Sequence, residues 1–170
     1  MYQTISFDIY EGNMEYRIRK IKENEYSVLE DFLYEAIFIP KGASAPPKEI
    51  IYKPELQVYI SDFGKRTGDT GLVAEVDNKI VGAVWTRIMN DYGHIDDETP
   101  SFAISLYKEY RNHGIGTALM KEMINVLNQA GYKQASLAVQ KENYAVKMYE
   151  NIGFTVIDEN EEEYIMIYKF

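Results

Sequence analysis

From Tyr110 to Leu119 the chain reads Tyr-Arg-Asn-His-Gly-Ile-Gly-Thr-Ala-Leu, residues whose types and spacing suit the binding of an anion. Gly114 and Gly116, one residue apart, let the backbone pass close to a ligand with no Cβ in the way. A long amphipathic helix follows, and the N–H groups of its first turn point at the anion, aided by the helix dipole. Arg111 adds a cation just before the turn. The chemistry implied is the gripping of a pyrophosphate, and the question is which phosphate-bearing cofactor supplies it.

Two cofactor classes fail on particular residues. A nucleotide P-loop needs a Lys-Ser or Lys-Thr pair after its last glycine, whereas Thr117-Ala118 follows here. A dinucleotide-binding turn needs a third glycine and an acidic residue at the end of the next strand, in an early strand–helix–strand unit. This turn comes two-thirds of the way along the chain and lacks that glycine.

The elements that position the turn follow from hydrophobic periodicity. Residues 1–13 read as a lead-in and 14–170 as the folded domain. A first strand is expected from Tyr16 to Lys20. Leu29, Phe32, Leu33, Ala36 and Ile37 then recur as the stripe of an amphipathic helix. Pro40 to Pro54 holds four of the five prolines and reads as a loop with a binding role. Pro54 suits the first turn of a second helix, whose apolar stripe is Leu56, Tyr59, Ile60 and Phe63. Leu72 to Val76 and Ile80 to Ile88 make an antiparallel hairpin around Asp77-Asn78-Lys79. After the polar loop Asp91 to Pro100, a strand Phe102 to Tyr107 leads into the glycine turn.

The following helix carries Ile115, Leu119, Met123 and Leu127 on one face and ends at Gly131. Ala135, Leu137 and Val139 alternate in another strand. A short helix runs from Asn143 to Ile152 and closes at Gly153. Phe154 to Ile157 and Tyr164 to Tyr168 form a last hairpin. The single strand–helix–strand crossover places two parallel strands in a mostly antiparallel sheet. The fold class is therefore α/β of the α+β type: one mixed, mostly antiparallel sheet of about seven strands with helices on both faces. A ligand site is expected at the C-terminal strand ends, where neighbouring strands part.

Arg111-Asn112-His113-Gly114-Ile115-Gly116 resembles the acetyl-CoA signature of the GNAT superfamily of N-acetyltransferases, Q/R-x-x-G-x-G/A. Asn143 to Phe154, N-Y-A-V-K-M-Y-E-N-I-G-F, is close to that superfamily's second block, N-x-x-A-x-x-x-Y-x-x-x-G-F. The order of elements agrees as well. The departures are Val146, where alanine is usual, and Lys108, where proline is common. The resemblance covers the chain from about Tyr16 onward and implies the acyl-CoA N-acyltransferase fold.

It implies residue roles too. The backbone amides from Asn112 to Thr117, through His113, Gly114, Ile115 and Gly116, would hold the CoA pyrophosphate, with the Arg111 and His113 side chains beside it. Leu106 would bond the pantetheine arm through its backbone and aim its N–H at the thioester carbonyl. Such a preorganised donor is worth roughly 3–4 kcal/mol in the transition state. Asn143 would cap the last helix and touch the cofactor. Tyr149 would touch the cofactor and protonate the departing thiolate, since its unperturbed pKa of about 10 keeps its proton at neutral pH.

The general base stays open, because no carboxylate lies between Ser101 and Tyr107. Glu35, Asp96, Asp97, Glu98 and a water chain are the alternatives. Tyr34, Phe38, Tyr52, Trp85 and Tyr92 are expected around the acceptor. The activity implied is transfer of an acetyl group from acetyl-CoA, a cosubstrate, to a primary amine by direct attack, with no metal. The alternatives are a non-catalytic acyl-CoA-binding module and transfer of another acyl group.

Composition is consistent with this. The 170 residues are 46% apolar and 26% charged, the profile of a globular domain. A net charge of −9 repels nucleic acid and anionic lipid, and either serves solubility or favours a cationic acceptor. Absence of cysteine removes a disulfide framework, a thiolate zinc site and a cysteine nucleophile. No apolar run reaches the ~18–20 residues needed to span a membrane and no signal-peptide pattern opens the chain, so a cytoplasmic address is expected. A homodimer paired through Tyr164 to Tyr168 is a further expectation.

Overall fold

The computed structural model describes residues 14–170, and the expected lead-in at residues 1–13 lies outside the described residues. Seven strands form one sheet: β1 (Arg17–Lys20), β2 (Thr70–Val76), β3 (Lys79–Arg87), β4 (Ser101–Leu106), β5 (Gln134–Gln140), β6 (Thr155–Glu159) and β7 (Glu163–Lys169). Their spatial order is β1-β2-β3-β4-β5-β7-β6. The β2–β3 hairpin turns on Asp77 and Asn78, with φ of 49° and 63°. Short polar side chains tolerate that left-handed region, and two such residues match the twist of the strands they join.

Every pairing is antiparallel except β4 with β5. Those two strands are parallel, and their register holds a single pair, Ser101 opposite Ser136. Buried polar groups bolt this root together. The two serine hydroxyls lie 3.2 Å apart, and that of Ser136 also donates to the Gly93 carbonyl at 2.7 Å. The Asp91 carboxylate accepts from Ser101 at 3.3 Å and from Tyr59 at 3.2 Å. Burial pushes the Asp91 carboxyl above the usual carboxylate range.

The crossover from β4 to β5 is α3 (Ile115–Gln129), which shares one sheet face with α4 (Ala145–Ile152). Ile115, Leu119, Met123 and Leu127 are fully buried there, as their spacing predicts. Each such side chain contributes roughly 1.5–3 kcal/mol of burial. The other face carries α1 (Val28–Glu35), a 3-10 turn at Lys48–Tyr52 and α2 (Pro54–Gln57), with Leu29, Phe32 and Leu33 over Ala83 and Trp85.

Three expectations change. The second helix is one turn long, because beyond Gln57 the bonds shift to the tighter pattern Tyr59 N–H to Leu56 O and Ile60 N–H to Gln57 O. The apolar spacing survives, since such turns bury Phe63 equally well. The first helix ends at Glu35, before Ile37. Tyr164 to Tyr168 cannot pair across a dimer: β7 lies between β5 and β6, so both its edges are used.

Candidate active site

Beyond Ser101 the side of β4 that faces β5 has no strand partner, and a cleft of about 740 Å³ opens along its C-terminal half. Ile104, Ser105 and Leu106 of β4 form the floor. The turn into α3 and the first turn of α4 form one side, and the end of α1 with the segment after it forms the other. Asn112, at φ 64°, and Gly114, at φ 80°, give the turn two left-handed residues within three positions. That alternation aims successive N–H groups to one side.

No side chain caps α3, and its first turn contains no acidic residue. The amides of Ile115, Gly116 and Thr117 precede its first helical bond, Ala118 N–H to Gly114 O at 3.1 Å, so the helix itself gives them no acceptor. A Cβ at Gly116 would meet Leu106 Cδ1 at 3.5 Å and Met148 Sδ at 3.6 Å, ordinary contacts. Protein packing therefore does not demand glycine there, whereas close approach of a ligand does. An uncapped helix mouth, a bare α-carbon and no competing carboxylate fit a diphosphate.

The structure brings most of the expected residues together, with differences in what they do. Leu106, Arg111, Asn112, Gly114, Gly116, Thr117, Asn143 and Tyr149 all line the cleft. Ile115 does not, since its side chain is in the core and only its amide belongs to the turn. The half-buried His113 is not among the lining residues either. Arg111 lines the cleft, and two of its guanidinium nitrogens bond protein. It donates to Leu106 O at 3.0 Å and, from Nη2, to Glu35 O at 3.3 Å and Glu35 Oε2 at 3.1 Å.

Asn143 lies one residue before the N-cap position of α4, Tyr144, and its side-chain oxygen accepts from Ala145 N–H at 2.9 Å, an Asx turn leading into the helix. Tyr149 is buried, at 7% exposure. Its ring packs on Phe154. Its hydroxyl has no hydrogen-bond partner among the described residues, and it lines the cleft. Desolvation, with a smaller effect of Tyr144, pushes that hydroxyl well above the usual tyrosine range, so it keeps its proton.

Of the carboxylates considered as bases, only Glu35 reaches the cleft, and Arg111 pairs with it. Asp96, Asp97 and Glu98 are exposed on the loop before β4 and do not line the cleft. Among the expected acceptor-side aromatics, Tyr34 and Phe38 line it. Trp85 is fully buried and donates from its indole to Tyr59 O, while Tyr52 and Tyr92 are exposed elsewhere. Sequence reasoning gave no role to Lys108 or to Tyr144, which is 68% exposed at the cleft beside Tyr149. An aromatic next to Asn143 was the available signal for Tyr144. Among the described residues no group of three potential ligands could hold a metal, and no helix is long and apolar enough to cross a membrane.

A sheet splayed after one parallel pair, with a glycine turn and helix mouth at the opening, defines the acyl-CoA N-acyltransferase fold. The chain belongs to the acetyltransferase (GNAT) family, whose model matches residues 32–154. It is 34% identical over 83 residues to Probable N-acetyltransferase camello of Xenopus laevis, a match over 48% of this chain. The matched stretch covers only 36% of that relative's length. PaiA N-acetyltransferase of Thermoplasma acidophilum, solved in complex with coenzyme A, is similar with TM-score 0.68 and 20% identity over 92% of this chain and 100% of that one. YncA of Salmonella typhimurium, solved with acetyl-CoA, gives TM-score 0.62 and 14% identity over 91% and 93% of the two chains. At those identities the structural likeness establishes the fold.

Proposed function

We propose that residues 14–170 form a transferase domain that moves an acetyl group from acetyl-CoA to a primary amine by direct attack. One observation carries the reading: an uncapped, carboxylate-free helix mouth and the hydroxyl of the largely buried Tyr149, with no protein partner among the described residues, open on the same cleft. The cosubstrate supplies an activated acyl carbon and a thiolate leaving group. Amides from Asn112 to Thr117 bind its diphosphate, and the edge of β4 left free by β5 lines the path of its pantetheine arm. The N–H of Leu106 supports negative charge on the carbonyl oxygen. Tyr149 holds a proton for the departing sulfur, which its burial keeps in place. Absence of cysteine agrees with a route that forms no acyl-enzyme.

CoA and acetyl-CoA in the complexes of PaiA and YncA support acyl-CoA as the ligand class. The test is release of free CoA thiol from acetyl-CoA in the presence of a panel of primary amines. Amine-dependent release is expected, and tight CoA binding with no release for any amine would leave a binding module instead. That second reading has one observation behind it: Glu35, the one acidic residue lining the cleft, is already paired with Arg111.

A further inference from the structure

Three charged residues line the cleft, Glu35, Lys108 and Arg111. Arg111 stands where the family signature places a phosphate-side residue, yet two of its three guanidinium nitrogens, Nε and Nη2, already serve protein acceptors. Nε serves Leu106 O, the last carbonyl of β4, and Nη2 serves both the backbone and the carboxylate of Glu35, the last residue of α1. A cation at the final carbonyls of a helix is favourable in itself. Arg111 thereby ties the end of β4 to the end of α1, reaching a carboxylate 76 positions away in sequence. Lys108 is the opposite case. It is exposed, it begins the 3-10 turn Lys108–Tyr110 that leads to the glycines, and its ammonium has no partner among the described residues.

We infer that the two cations divide the labour unexpectedly: Arg111 is a positioning residue that braces α1 and β4 around the cleft, and Lys108 is the side chain that meets the diphosphate. The inference rests on the acyl-CoA reading above and assigns the charges within it. Geometry separates the two roles. A brace that bonds three acceptors needs a planar guanidinium, whereas a mobile ammonium serves as a point charge for a phosphate.

The test is calorimetric affinity for CoA and for dephospho-CoA, at low and high salt, on the purified chain. Lys108→Ala should weaken both ligands about two- to fivefold, the range for one exposed ion pair, and should flatten the salt dependence. Equal loss with both ligands identifies the diphosphate, and loss confined to CoA would move Lys108 to the 3′-phosphate and overturn its assignment. Lys108→Arg should restore affinity, and Arg111→Lys should not restore what Arg111→Ala loses.

The sign of the Glu35→Gln effect decides the rest. If Arg111 acts through Glu35, neutralising Glu35 loosens the brace and weakens CoA. If Arg111 reaches the phosphates itself, the same change frees a cation and tightens CoA, which would overturn the inference. Should Arg111→Ala fail to fold, Glu35→Gln preserves shape and carries the test alone. Wild-type chain that binds neither ligand would sink the acyl-CoA reading itself, an outcome distinct from any of these.

Discussion

Replacing Gly116 by valine separates what the protein needs at that position from what a ligand needs. Gly116 is the second residue of α3 and has no left-handed backbone to defend. An added Cβ would meet only Leu106 Cδ1 at 3.5 Å and Met148 Sδ at 3.6 Å, the latter on a flexible chain. Valine is a better helix former than glycine by a few tenths of a kcal/mol, which offsets some crowding of its γ-methyls. Stability should stay within about 1 kcal/mol of wild type, a shift in Tm of at most about 2–4 °C for a domain of this size. Binding has no such compensation. On the proposed site the side chain would stand between the first-turn amides and the diphosphate, and losing two hydrogen bonds to a charged group costs about 3–6 kcal/mol. CoA affinity should then fall by a factor of 100 or more. Thermal melting and calorimetric titration of one preparation give both numbers. Wild-type CoA affinity in a folded Gly116→Val chain would refute the cradle. Gly114→Val is the poorer probe, since φ 80° makes any side chain strained and mixes folding with binding.

Tyr149→Phe should lower acetyl transfer by about 100-fold or more while leaving CoA affinity nearly unchanged, and equal thiol release would remove Tyr149 from the chemistry. Because burial raises its hydroxyl above the ordinary range, the wild-type rate should show no alkaline loss from this group below about pH 10, read from a pH–rate profile. Asp69→Ala should cost about 3–5 kcal/mol in urea unfolding. Arg87 is fully buried and bonds both Asp69 oxygens at 2.9 Å, so removing one partner strands a charge. A loss under about 1 kcal/mol would mean that water reaches the pair. Glu25 is held down from 4.5 to about 2, chiefly by its bonds to Arg19. A depressed carboxyl stabilises the fold above its ordinary value and ceases to do so as pH falls through the lowered one. The Tm advantage of wild type over Glu25→Gln should therefore be complete above pH 4.5 and vanish toward pH 2. An advantage independent of pH would deny the ionic origin.

Much of the scaffold was legible because it rests on local rules. Ile115, Leu119, Met123 and Leu127 fix α3 and its buried face, and Asp77-Asn78 fixes the first hairpin. The turn at Asn112–Gly116 was equally readable, since glycine spacing and a following helix need no tertiary information. The α2 region was not, because Leu56, Tyr59, Ile60 and Phe63 satisfy a run of tight turns as well as a helix. Arg111 was readable as a cation just before the turn, but its bonds to Leu106 O and Glu35 were not, because the fold alone brings Glu35 alongside. Asp91 was hidden the same way. In sequence it opens a polar loop, and only the meeting of β4 with β5 buries it beneath Tyr59 and Ser101. Lys108 carried its signal openly, as a departure from the usual proline, and the fold places it on the cleft with no partner among the described residues.

The lone Ser101–Ser136 pairing gives the sheet a seam. To one side lie four strands under α3, and to the other β5, β7 and β6, joined to the first group by the serine bolt, the helices and little main-chain bonding. Beyond that pair the edge of β4 carries main-chain groups that a continuous sheet would have bonded for itself, and the extended arm of the proposed donor would meet them as an added strand would.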